Sequence, residues 1–513
     1  TDTAHGALVD NFVTFSGAVS LGGLITADVL NQNYQVISVP SDNTFTITAK
    51  DTSGNTVTAN SSDSGNGGSS TVGKYEIPTG TATPVPFIGW SAGTWGSGTW
   101  GNGTSSTTIL RLWSQASFGE DLVFAPREGA LYYWDATGGK TTRAVLVSSL
   151  AGASDVPTVV NTVLVSDVSR FVFCFGANTL GTSTQDPLLI RWSDQESVVN
   201  WTPAATNQAG SLRLSRGSSI ITAAQARQEI LVWTDASLYA LQYVGAPIVW
   251  NSQLVGDHIS IISQNCVAYA NGSSYWMGID KFYVYDGTTK QLRCDLRRHI
   301  FNDINRTQVD QVFAGTIEAF HEVWWFYPSA DSTTIDKYAV YNYQQDIWYH
   351  GTLARTAWID SGLRNFPLGA TYTNNLVEHE NGVDDNETST PTAITATISS
   401  AQFDVDDGHK FAFIWRILPD ITFEGSTADS PTATMSLLPL DNSGSGYNDP
   451  TSEGGSNSGS ITRTATLPIE KYTQQLNTRV RARQLQLKIE STTSGVIWQL
   501  GSPRIDIRPD GRR

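Results

Sequence analysis

Charge is scarce in this chain: 16% of its residues are Asp, Glu, Lys or Arg, against roughly 25% in an average globular protein. Basic residues are the scarcer kind, 32 against 48 acidic, which leaves a net charge of −16. A protein that grips phosphates needs a basic excess, so tight nucleic-acid binding is excluded over most of the surface. Repulsion still suits one nucleic-acid role, a wall past which DNA slides without sticking. Cysteine is nearly absent too. Cys174, Cys266 and Cys294 are far apart, odd in number and form no CxxC pair. A disulfide framework is not expected at this length, and buried, reduced thiols are. No run approaches the roughly 18 apolar residues that a membrane helix needs.

Catalytic signatures are missing as well. The seven histidines, His5, His258, His299, His321, His350, His379 and His409, show no ligand spacing. His321-Glu-Val-Trp-Trp is strand-like and is not HExxH, so zinc has little support. There is no Walker loop, no dinucleotide fingerprint, and no Gly-x-Ser-x-Gly leading into a helix. No enzyme activity and no cofactor are expected. The enzyme class that stays open is a glycosidase, which needs two carboxylates roughly 5–9 Å apart across a sugar cleft. Ser193-Asp194 followed by Trp201 resembles part of a sialidase Asp-box but lacks its glycine and spacing, and reads as a turn.

What the chain does have is β-forming material. There are 16 Trp, 18 Tyr and 19 Phe, with Ser, Thr, Asn and Gly filling the place of charge. Thr, Val and aromatics suit strands, and Gly, Asn, Asp and Ser suit turns, so the chain reads as all-β. Its 513 residues exceed one core, and two to four domains are expected.

Residues 1–75 read as a small β module. Phe12–Phe15, Tyr34–Ser38 and Thr44–Thr48 alternate with period two, and Asp51-Thr-Ser-Gly-Asn55 is a turn. Residues 60–73 read as a flexible link. A Gly/Trp-rich connection, 76–109, follows, with Trp90, Trp95 and Trp100 at spacings of five. Loop tryptophans that plug a core or interface are favoured over a sugar-stacking surface.

Residues 110–387 repeat one pattern, an aromatic strand followed after a short turn by a second. The second strands start at Leu131, Leu188, Leu238, Phe282, Tyr338 and Leu376. Their spacing is near the roughly 40–50 residues of a propeller blade. Blades packed face to face bury both sides of each sheet, which explains strands apolar nearly throughout. A β-propeller of about six blades is predicted, each hairpin being the middle pair of a four-stranded sheet. Residues 388–513 alternate more cleanly, as in Ile394–Ile398, Leu485–Glu490 and Arg504–Arg508, and read as a C-terminal β-sandwich. A mobile hairpin is expected at 441–460.

Two charged features stand out. Glu378, Glu380, Asp384, Asp385, Glu387, Asp404, Asp406 and Asp407 fall within 376–408 without a Lys or Arg. The readings are a solvated loop, a Ca²⁺ site without EF-hand order, or an acidic patch lining a channel, to which Glu378, Glu380, Asp384, Asp385 and Glu387 would contribute. The last 53 residues reverse the sign, with ten Lys/Arg against four Asp/Glu. Arg479, Arg481 and Arg483 would share one strand face, and a basic subunit contact fits them better than phosphate binding.

Several stretches resemble a known family. They are Trp192-Ser-Asp with Trp201-Thr-Pro203, Ala209-Gly210, Tyr275-Trp-Met-Gly-Ile-Asp-Lys-Phe-Tyr-Val-Tyr-Asp-Gly287, Glu322-Val-Trp-Trp-Phe-Tyr-Pro328 and the ending Pro503–Arg513. They are similar to tail nozzle or tail hub (tail tube) proteins of short-tailed, podovirus-like bacteriophages. The resemblance implies a virion structural protein of the tail: a propeller subunit in a homo-oligomeric ring, a hexamer, forming part of the DNA-ejection channel. It implies as partners the tail adaptor and portal-side proteins, tail fibres or spikes, DNA passing through without specific binding, and transiently the host envelope. The alternative is a receptor-binding or polysaccharide-degrading, glycosidase-type tail protein.

Overall fold

The computed structural model describes residues 2–3, 5–7, 9, 11–62, 67–76, 110, 112–140, 142, 144–167, 169–362, 364–388, 390–404, 408–440 and 464–511. The chain divides into two compact units, Thr1–Asp360 and Ser361–Arg513. That division falls earlier than the 387/388 boundary read from composition.

The N-terminal module is a four-stranded sheet in the order Thr44–Ile47, Asn33–Ser41, Phe12–Ser16, Val72–Glu76. Its alternating strands bury Val13, Tyr34 and Val36 on one face. The flexible link expected at 60–73 is corrected at its end. Val72 and Gly73 pair with Ser16 and Phe15, because the Phe12–Ser16 strand needs a partner on its second edge. The Gly/Trp-rich connection lies, from residue 77 to 109, outside the described residues.

The propeller is built from five successive four-stranded antiparallel sheets, each a simple meander. The first runs from Trp113–Phe118 to Val145–Leu146, and the second from Thr162–Val165 to Gly210–Arg213. The third runs from Ile220–Gln225 to Val249–Asp257, the fourth from Val267–Ala270 to Thr289–Leu292, and the fifth from Phe313–Ile317 to Ile347–Thr352. In every one the aromatic hairpin seen in the sequence is the middle pair of strands. The sixth hairpin, Leu368–Ala370 with Leu376–Glu378, has strands of only three residues and belongs to the second compact unit.

Packing explains the continuous apolar strands. Val172–Phe175, Leu189–Trp192, Ile230–Thr234 and Glu322–Tyr327 are buried at every position. Val123, Val163 and Cys174 fill the space between sheets one and two. Phe173, Trp192, Val232 and Trp250 fill that between two and three, and Trp233, Trp276, Phe282 and Trp325 form a core shared by three, four and five. The Trp192 ring sits over Gly210, where a Cβ would lie 2.5 Å from Cζ2, so the glycine is what lets the ring close down.

The sheets are joined to one another near their first strands. The amide of Val163 donates to Ser114 Oγ at 3.0 Å, and Asn161 Nδ2 donates to the Ile220 carbonyl at 3.3 Å. Gln264 reaches from the start of sheet four to Thr162 Oγ1 in sheet two, 2.9 Å. Arg127 of sheet one pairs with Asp310, just before sheet five, at 3.1 Å.

The C-terminal region is a sandwich. One sheet centres on Gln484–Ser491, which pairs with Thr432–Leu440 on one edge and with Ala396–Ser399 and Phe403–Asp404 on the other. The facing sheet places Ala412–Leu418 between Leu476–Ala482 and Arg504–Pro509. Ile414, Met435, Leu437, Val480, Leu485 and Ile489 close the core between them. The mobile hairpin expected at 441–460 lies outside the described residues.

Candidate functional site

The surface richest in recognition chemistry is the outward face of the three-stranded sheet of the sandwich. In Leu476–Ala482 burial alternates residue by residue, so Arg479 and Arg481 point outward while Leu476, Val480 and Ala482 point in. On the neighbouring strand the outward positions are Phe413 and, across an irregularity between Ile414 and Arg416, Trp415 with Arg416. Phe413 lies opposite Arg481 on one side and Arg508 on the other. The result is a set of arginines laid on aromatic rings. Arg481 and Arg483 both stack on Phe411, at 4.0 Å and 4.9 Å from its centroid, and Arg508 lies 4.0 Å over Trp415. Arg481 is further held by Asp510 at 2.6 Å. Arg479 and Arg508 have no ion-pair partner among the described residues.

Stacking fixes what this face can bind. A guanidinium lying flat on a ring covers the ring's π face and keeps its N–H edge outward. With Arg481 donating to Asp510 through Nε and Nη2, the donors this face offers to carboxylates are those of Arg479 and Arg508. The sequence indicates the arginines through their spacing. It misses Phe411, Trp415 and Arg508, for which the available signal is the alternation Phe411-Ala-Phe413-Ile-Trp415 on a half-exposed strand.

The acidic stretch is split by the fold. Glu378 ends one strand and accepts from Asn381 Nδ2 at 2.6 Å, and Glu380 is exposed in a left-handed turn. Asp384 accepts from the amide of Gly495 at 2.7 Å, Asp385 from the amide of Glu387 at 2.9 Å, and Glu387 from Thr373 Oγ1 at 2.6 Å. Asp404 is elsewhere, accepting from Gln484 Nε2 at 3.2 Å. Asp406 and Asp407 lie outside the described residues. Among the described residues no three His, Cys, Asp or Glu side chains are placed to share a metal ion. Asp384, Asp385 and Glu387 thus tie down turns, and Glu378, Glu380 and Asp385 are the exposed members.

In the propeller the titratable groups of interest serve structure. Ser193 Oγ accepts from the Val172 amide and Asp194 accepts from the Gln208 amide, so the Asp-box-like segment is a turn, with Trp201 buried beneath it. Burial raises the thiol of Cys174 and of Cys266 and pushes half-buried Cys294 up to about 11, the direction that favours the protonated thiol. His299 and His350 face each other with ring centroids 4.4 Å apart. Burial, helped by His299 and Lys337, holds His350 below the usual histidine range.

Comparison with known proteins places the chain only distantly. No family model matches it, and neither does any curated protein. Among solved structures, it is similar to Hsv2 from the yeast K. marxianus at 8% identity and a TM-score of 0.32, over 54% of this chain and 74% of that one. A putative exported protein from Bacteroides fragilis is similar at 6% identity and a TM-score of 0.30, over 50% of this chain and 78% of that one. PorZ, a surface component of the type-IX secretion system of Porphyromonas gingivalis, is similar at 9% identity and a TM-score of 0.26, over 51% of this chain and 36% of that one. These likenesses carry no function to this chain.

Proposed function

We propose that this chain is a virion structural protein, a tail nozzle or tube subunit of a short-tailed bacteriophage that forms part of the DNA-ejection channel. The observation that carries the reading, beside the sequence resemblance, is charge segregation. An arginine-clad face sits in a chain of net charge −16, and such asymmetry suits a protein that assembles with copies of itself. The mechanism is geometric and electrostatic. Sheets cemented by buried aromatics make a stiff frame, and an acidic wall avoids the many simultaneous phosphate contacts that would hold DNA back. Electron microscopy of the purified protein or its parent particle tests this. The expected image is a closed ring, six copies in our reading. A monomer both in solution and in the particle overturns it.

One feature favours a second reading, a receptor-binding or polysaccharide-degrading tail protein. Trp113, 40% exposed, lies 5.8 Å from Phe124, which stacks on Tyr132 at 5.7 Å, a row on which sugar rings could stack. Release of reducing ends from host surface polysaccharide would establish that reading, and its absence would leave the nozzle.

A further inference from the structure

The Gln484–Ser491 strand gives the sandwich two chemically opposite ends. At its start it pairs with Phe403–Asp404 and follows directly on Arg481 and Arg483. At its finish Ser491 pairs with Ala396. Gly495, just beyond, holds Asp384, and Asp385 pairs with Thr392. Seven steps of about 3.3 Å separate the two ends, roughly 23 Å. Asp384 and Asp385 are therefore tied to one end, with Glu378 and Glu380 a few residues earlier in the chain, and Arg481 and Arg483 lie at the other. Such a surface can meet a second copy acid to guanidinium, and repeated head to tail this heterologous contact closes into a ring when the rotation per copy divides a full turn.

We propose that the arginine–aromatic end, through Arg479 and Arg508, docks the acidic turn at Glu378 and Glu380 of a second copy of this chain. The inference rests on the ring-forming reading above and names the contact that builds the ring. Arg479 and Arg508 are chosen because neither has an ion-pair partner among the described residues, whereas Arg481 is already neutralised by Asp510. A nucleic-acid strand is the poorer occupant. It would need free aromatic faces for its bases, and Arg481, Arg483 and Arg508 lie over Phe411 and Trp415. Asp404 at the same end accepts from Gln484 Nε2 at 3.2 Å and forms no ion pair with Arg479 or Arg508 among the described residues.

The test uses full-length chains and sedimentation velocity. The double reversal R479E/R508E is expected to weaken self-association by roughly a hundredfold, two lost charge pairs at about tenfold each. E378K/E380K is expected to do the same from the other side. An equimolar mixture of the two variants should recover the assembly, because each altered face then meets a complementary one. A merely misfolded variant could not be rescued in this way. Wild-type assemblies that persist in R479E/R508E, or a mixture that fails to recover, overturn the contact while leaving the ring reading intact. A wild type that is monomeric in solution and in its particle overturns both.

Discussion

The propeller and the sandwich use β-strands in opposite ways. In the propeller a strand such as Glu322–Tyr327 is buried at all six positions, because each sheet is covered on both faces. In the sandwich Leu476–Ala482 alternates buried and exposed, because only one face meets a partner sheet. The difference decides where function can sit. A strand buried on both faces spends its side chains on packing, and recognition is left to its edges and loops. A strand buried on one face has a second, free face, and here that face carries the arginines.

The sharpest way to break this comparison is to remove a side chain on which several sheets depend. Trp325 is fully buried in the core shared by sheets three, four and five, 4.8 Å from Phe282, and donates to the Cys266 carbonyl at 3.1 Å. Trp325→Ala is expected to cost about 3–5 kcal/mol in urea unfolding. A loss below about 1 kcal/mol would mean that those sheets do not depend on one core.

Next come two ion pairs of similar length in different settings. Arg191 is buried, pairs with Asp155 at 2.7 Å and also donates to the Asn178 carbonyl. Arg416 pairs with Asp506 at 2.5 Å on the exposed face of the sandwich. Arg191→Met should destabilise by about 3 kcal/mol, since the carbonyls and the carboxylate around it lose their donor in a buried place. Arg416→Gln should cost less than about 1 kcal/mol. Equal losses on unfolding would erase the distinction between the two regions.

The smallest effect is a pH dependence confined to the propeller. His350 is held below the ordinary histidine value by burial first, then by His299 and Lys337, with Asp303 opposing. A base whose folded value is depressed binds its proton more readily unfolded. Its contribution is intact above the ordinary value near about 6.5 and is lost as pH falls below that, toward the folded value. Melting temperature should therefore decline on acidification through that range, and more shallowly in His350→Gln. An identical slope in the variant would assign the decline to other groups.

Much of this was legible beforehand. The six aromatic hairpins match observed strand pairs because hairpin pairing is local, set by two apolar runs and a short turn. The sixth proved short and fell in the second compact unit, since an apolar hairpin alone does not say which neighbours it joins. Val72 and Gly73 were misread as a link because a Gly- and Ser-rich approach hid a strand whose partner lies some sixty residues earlier. The candidate surface was legible only by half. Alternation around Arg479, Arg481 and Arg483 showed a charged strand face, but not the rings beneath it.

By itself the sequence determined the all-β class, the positions of the aromatic hairpins and the sign of charge along the chain, because these follow from period, turn chemistry and composition. The tertiary structure alone decided that Asp404 parts company with Asp384 and Asp385, that Arg481 and Arg483 share Phe411, and that Asp384 and Arg483 lie at opposite ends of the Gln484–Ser491 strand. Those facts come from pairings such as Ser399 with Lys488 and Phe413 with Arg508, near ninety residues apart in sequence. Local pattern can specify a strand's faces. Which distant strand lies beside it is settled only when the whole core closes.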